Sequence, residues 1–128
     1  MRLVLDAGGL SALVGDRARL RELQRRGLWP AQVPSVVLTE ALTGDHRRDF
    51  DANRLLRACQ VRDVDESQAR EAARLRTATG RAGSISAVDA VVAATAARQR
   101  DAIVLTSDPD DLRALAEQAS SPFIVVGV

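Results

Sequence analysis

Hydrophobic residues in this chain fall into two patterns: short unbroken runs, and stripes at helical spacing. The unbroken runs are Leu3-Val4-Leu5, Ile103-Val104-Leu105 and Phe123 to Val126; Ala31 to Val33, interrupted by Gln32, and Val61 to Val64, interrupted by Arg62 and Asp63, are weaker versions. Apolar runs of this length, bounded by Gly, Pro or acidic residues, predict buried strands. Between them, apolar residues recur every three or four positions, which predicts helices. The first strand, Arg2 to Leu5, ends in Asp6. Gly8 and Gly9 then turn the chain into a short helix near Leu10 to Val14. Asp16 is placed to cap a second helix with Leu20 and Leu23 inward and Gly27 as its stop. Pro34 and Ser35 open a helix through Leu42, and a further amphipathic helix is expected over 47–59. Asp65 heads a helix to about Ala78, and a loop holding Arg81 follows. An Ala-rich helix spans Ser84 to Ala97, and Asp108-Pro109 starts the last one, through about Gln118.

Strands alternating with helices predict an α/β fold with a parallel sheet, helices on both faces and right-handed crossovers. The 128 residues are expected to form a single domain over 1–128, with no repeat or linker. Two strands end in acids, Asp6 and Asp108. In open parallel sheets the ligand crevice lies beyond the carboxyl ends of the strands, so both acids would share that edge if their strands are neighbours.

Composition narrows the chemistry. All 18 basic residues are arginine, which excludes Schiff-base catalysis and the phosphate-gripping lysine of Walker-type loops. One cysteine, Cys59, and one histidine, His46, exclude a disulfide framework and a multi-histidine zinc site. The net charge of +1 provides no overall field for nucleic acid, so any such contact must be local. No apolar run is long enough to cross a bilayer, and a cytoplasmic location is expected.

Four acids border apolar segments. Asp6 reads equally as a helix cap and as a ligand. Asp108 sits in an Asp-Pro pair, a common helix start. Asp89 is the first ionisable residue of the Ala-rich helix and could close a capping box with Ser86. Glu40 follows Val36 and Val37 by one turn and is otherwise a surface glutamate. If the four converge, their repulsion would raise pKa values, and a hard divalent cation with oxygen ligands, Mg²⁺ or Mn²⁺, would remove that penalty. Thr106 and Ser107, just before Asp108, could hold an acid or a water.

The sequence resembles the PIN domain family. The segments are the apolar strand ending in Asp6, Glu40 in its apolar helix, Ser-Ala-Val-Asp89-Ala-Val-Val-Ala-Ala-Thr-Ala, and Val-Leu-Thr106-Ser107-Asp108. Its size is similar to that of the VapC toxins of bacterial toxin–antitoxin pairs. The resemblance implies a three-layer α/β/α fold and an Mg²⁺-dependent endoribonuclease cutting structured RNA such as tRNA or rRNA. It also implies a homodimer inhibited by a small antitoxin. Asp6, Glu40, Asp89 and Asp108 match the family's four metal-binding acids in order. Two departures stand out. Position 8 is Gly, where many relatives carry a small polar residue, and Asp111 is a reserve for the fourth acid.

Other residues draw bland readings. His46 lies in a polar turn, Cys59 packs at a helix end, and Trp29 suits a core edge or a protein groove. Arg25-Arg26, Arg47-Arg48 and Arg81 are the candidates for phosphate contacts. A receiver-type module or a haloacid-type phosphatase would need a lysine, and Asp6-Ala7-Gly8-Gly9 is not a nucleotide-binding loop. The alternative function is a non-catalytic scaffold of the same fold that binds a partner.

Overall fold

The computed structural model describes residues 1–128. Five strands form one all-parallel sheet: β1 (Arg2–Leu5), β2 (Gln32–Pro34), β3 (Gln60–Arg62), β4 (Ala102–Thr106) and β5 (Ile124–Gly127). Their spatial order is β3-β2-β1-β4-β5. Leu3, Val4 and Leu5 are all buried, as are Val104, Leu105 and Thr106, so the two central strands are covered on both faces. β1 and β4 run in register from Arg2 opposite Ala102 to Leu5 opposite Leu105. Asp6 and Thr106 therefore leave the sheet side by side.

Seven helices cover the sheet: α1 (Ala7–Val14), α2 (Arg17–Arg25), α3 (Leu38–Ala41), α4 (Phe50–Leu56), α5 (Glu66–Ala78), α6 (Ala87–Ala97) and α7 (Pro109–Gln118). From β1 the chain steps outward twice, to β2 and then β3. It then crosses back to β4, on the other side of β1. With right-handed crossovers this reversal puts α1–α4 on one face and α5–α7 on the other. The packing agrees: α1 meets α2, α3 and α4, while α6 meets α5 and α7. The reversal point, between β1 and β4, is where the fold opens a crevice.

α6 is buried along most of its length, with Ala90, Val92, Ala93, Ala94 and Ala96 in the core. Its small side chains let it pack onto β1, β2 and β4 while touching helices on either side. Asp16 and Asp65 cap α2 and α5, accepting from the Arg19 and Gln68 amides at 2.9 and 2.7 Å.

Several boundaries differ from those the sequence predicts. Gly8 and Gly9 do not turn the chain; they lie in the first turn of α1, which starts at Ala7. The expected helix from Pro34 to Leu42 is a 3₁₀ turn over Ser35–Val37 followed by the single turn of α3. There the Thr39 hydroxyl donates to the Val36 carbonyl at 2.7 Å. The helix expected over 47–59 begins only at Phe50. Asp45 accepts the Arg47 amide at 2.9 Å, and Asp49 accepts the Thr43 and Gly44 amides at 2.9 and 2.8 Å, which ties 43–49 into a turn. α6 begins at Ala87 rather than Ser84, because Ser84 and Ile85 close a turn onto the Arg81 carbonyl. β3 covers Gln60–Arg62 rather than Val61 to Val64, and β5 is shifted one residue later than expected.

Candidate functional site

Three helices begin where β1 and β4 end. Asp6 is the N-cap of α1, Ser86 of α6 and Asp108 of α7. Each contributes unpaired amides and a positive dipole end.

Asp6 is 4% exposed and tightly held. Its Oδ1 accepts the Gly9 amide at 2.7 Å, and its Oδ2 accepts the Thr106 hydroxyl. The Thr106 oxygen in turn accepts the Asp108 amide at 2.8 Å. Thr106 is completely buried, so this hydroxyl is a fixed bridge between the two strand-end acids. Burial pushes the Asp6 carboxyl above its ordinary value, opposed by the hydrogen bonds from Thr106, Gly9 and the Ser107 amide. The cap and ligand readings of Asp6 are thus compatible: one oxygen caps α1, and the carboxylate still faces the strand ends.

Asp89 is 6% exposed, in the first turn of α6. Its amide donates to Ser86 Oγ at 3.0 Å, but its carboxylate does not return the bond, so the capping box is only half formed. Its pKa is pushed up to about 7, first by burial and then by the charges of Asp108, Asp6, Asp111 and Glu40. Every acid singled out in the sequence therefore acts on this one carboxylate.

Asp108 occupies the N-cap position of α7, yet its side chain caps nothing, and the residue is exposed. Glu40, on α3, is exposed and has no ion-pair partner. Asp111 is different: its Oδ1 accepts from Arg81 Nη2 at 2.6 Å. The reserve acid is thus paired with an arginine, and Asp108 is the one without a partner. The same pair engages Arg81. Arg25 and Arg26 are likewise bonded to Glu22, whereas Arg47 and Arg48 remain exposed without an acidic partner.

The donor chemistry fits a hard divalent cation. Asp6, Glu40, Asp89 and Asp108 offer only carboxylate oxygens, and no guanidinium is paired with any of them. As placed, no three of these acids are gathered into a ready-made ion cage.

Two glycines let the elements approach. A Cβ on Gly9 would fall 2.2 Å from the Leu105 carbonyl oxygen, so α1 could not start against β4 with any other residue there. Gly8 similarly faces Ser107. Asp49, which the sequence reading passed over, is buried and serves the 43–49 turn rather than the site. The acid-and-turn-rich stretch Thr43-Gly44-Asp45 was the signal available for it.

The PIN domain family model matches residues 3–118. The chain belongs to the PIN domain family. Its fold is similar to that of DNA-bound VapBC from Salmonella typhimurium, at 16% identity and a TM-score of 0.73, covering 99% of this chain and 98% of that one. It is also similar to VapBC2 from Rickettsia felis bound to a promoter DNA fragment, at 15% identity and a TM-score of 0.72, covering 100% and 99%. VapBC-1 from nontypeable Haemophilus influenzae follows at 13% identity and 0.70, covering 99% and 98%. No curated protein sequence matches the chain. No helix is long and apolar enough to cross a membrane.

Proposed function

We propose that this chain is a toxin of the VapC type, a cytoplasmic Mg²⁺-dependent endoribonuclease that hydrolyses phosphodiester bonds in structured RNA. The observation that carries the reading is the convergence of charge on Asp89: four other acids raise its pKa, and no cation of the chain answers it. Two buried carboxylates, Asp6 and Asp89, facing further acids are costly for folding alone and suited to a divalent ion. The similar structures are VapBC complexes, which supports a small antitoxin as partner. A homodimer is part of the same reading.

Asp6, Glu40, Asp89 and Asp108 would hold Mg²⁺, with Mn²⁺ able to replace it. When bound, the ion supplies Lewis acidity toward a phosphodiester and its attacking water. The chain's own residues do the positioning. Thr106 favours the anionic form of Asp6, orients it, and ties down the Asp108 amide. The amide ends of α1, α6 and α7 favour anionic phosphate at the same edge. Arg81, bonded to Asp111, would reach a substrate phosphate only by leaving that acid, and Arg47 and Arg48 are free for backbone contacts. Ser107 adds a hydroxyl beside the strand ends.

The test is cleavage of total bacterial RNA by the purified, antitoxin-free chain in Mg²⁺ and in Mn²⁺, with EDTA and Asp89→Asn as controls. Discrete fragments that vanish in both controls are expected. The absence of a ready-made ion cage favours a second reading, a non-catalytic scaffold of the same fold. That reading requires no cleavage and no rise of melting temperature with Mg²⁺. A bound ion at about 100 times its Kd stabilises the fold by roughly 2.7 kcal/mol.

A further inference from the structure

The second residue of α1 and the residue after Thr106 compete for one small volume. A Cβ on Gly8 would lie 2.0 Å from Ser107 Oγ, 2.3 Å from Ser107 Cβ and 3.0 Å from the Ser107 amide nitrogen. Gly8 does not have a positive φ, so its backbone asks for no glycine. At an ordinary helical position glycine is less stable than alanine. What the missing side chain permits is the seating of Ser107.

Ser107 stands between two of the acids. Its amide faces the Asp6 carboxylate and favours the anion, and its neighbours are Thr106 and Asp108. The Thr106 hydroxyl is committed at both ends, donating to Asp6 and accepting from Asp108. The Ser107 residue is exposed, and its hydroxyl takes no part in the hydrogen bonds that join Asp6, Thr106 and Asp108. Carboxylates cannot donate a hydrogen bond to a phosphate, so donors at this edge must come from elsewhere.

We propose that Gly8 and Ser107 are an interlocked pair that holds the Ser107 hydroxyl at the strand ends as a donor to a non-bridging oxygen of the scissile phosphodiester. The inference rests on the nuclease reading and assigns a substrate-positioning residue within it. Gly8 acts only through Ser107: it leaves the notch in which that side chain sits.

A set of four variants separates packing from the hydroxyl: Gly8→Ala, Ser107→Ala, and the doubles G8A/S107G and G8S/S107G. Melting temperature and the initial rate of fragment appearance from total bacterial RNA in Mg²⁺ are read for each. Gly8→Ala is expected to lower the melting temperature by about 4 °C or more, because the new Cβ and Ser107 Cβ cannot both fit without moving α1 or the strand end. G8A/S107G recovers most of that loss, since the two atoms nearest the new Cβ, Ser107 Oγ and Cβ, are then gone. Ser107→Ala and G8A/S107G cut the rate about tenfold, the worth of one hydrogen bond in the transition state. G8S/S107G returns it to within about threefold, because the hydroxyl re-enters the shared volume from the other side. A melting temperature for Gly8→Ala at or above that of the unsubstituted chain overturns the interlock. Equal rates for the two doubles overturn the role of the hydroxyl. If the unsubstituted chain cleaves nothing while the melting pattern holds, the interlock stands, and the nuclease reading falls together with the role of the hydroxyl.

Discussion

Thr106 donates its hydroxyl hydrogen to the carboxylate of Asp6 across the boundary between β4 and β1. The bond spans 100 residues of chain and exists because Leu5 and Leu105 are paired in register, so the next residue of each strand emerges at the same level. It makes the switch point of the sheet a single polar unit rather than two separate strand ends.

Removing this hydroxyl is expected to cost about 1–3 kcal/mol, because Asp6 loses a donor and the Asp108 amide loses its acceptor at a buried position. Thr106→Val keeps the shape and isolates the effect. Urea denaturation of the metal-free chain gives the loss, and a Mg²⁺ titration should show a weaker midpoint, since Asp6 is less well held as an anion.

Asp89 sets the pH response of the metal-free fold. Its folded pKa of about 7 lies above the ordinary carboxylate value of 3.8. Between those values the folded chain binds more protons than the unfolded one. Stability is therefore expected to fall as pH rises from about 4 to about 7, and to level off above. The loss from this group is at most about 4 kcal/mol. Asp89→Asn should flatten the slope, raise the melting temperature at pH 8 and remove the response to Mg²⁺. A slope unchanged by the substitution would refute the assignment.

The Arg81–Asp111 pair predicts a coupled effect. Arg81→Gln leaves Asp111 as a further uncompensated charge acting on Asp89, so the metal-free chain should melt lower at pH 8. Adding Asp111→Asn should restore it. The pair is half exposed, so the coupling expected from a double-mutant cycle is only about 0.2–1 kcal/mol.

Helix α6 is expected to tolerate no enlargement of its buried face. Ala93 has no exposed surface and lies where α6 meets the sheet. Ala93→Leu should cost about 1–3 kcal/mol through displacement of the helix and move Asp89 with it. Chemical denaturation reports the first effect and Mg²⁺ affinity the second.

The sequence by itself determined the class of fold. Unbroken runs such as Leu3-Val4-Leu5 and Ile103-Val104-Leu105 suit only a strand covered on both faces, and such strands alternating with amphipathic segments leave few arrangements beyond a parallel sheet with helices on either side. The acids could also be picked out locally, because a charge beside Val or Ala is conspicuous in any structure. Caps were legible for the same reason: Asp16 and Asp65 bond to amides three residues away.

Only the tertiary structure decided which acids act together and which groups hold them. Asp6, Glu40 and Asp108 all bear on Asp89 from separate elements, in a sheet that reverses direction at β1, a property of strand order that no local pattern records. Gly8 and Gly9 looked like a turn because glycine breaks helices; they are helical because β4 and Ser107 leave no room for a side chain. Asp108-Pro109 looked like a cap, yet its carboxylate accepts no helix amide, and it is the Asp108 amide that is tied down, by Thr106. Asp111 looked like a reserve for Asp108, and Arg81, 30 residues earlier, pairs with it. Local sequence sets what each residue can bond to nearby; long-range packing chooses its partner among groups distant in the chain, because burial makes an unpaired charge too costly to leave to chance.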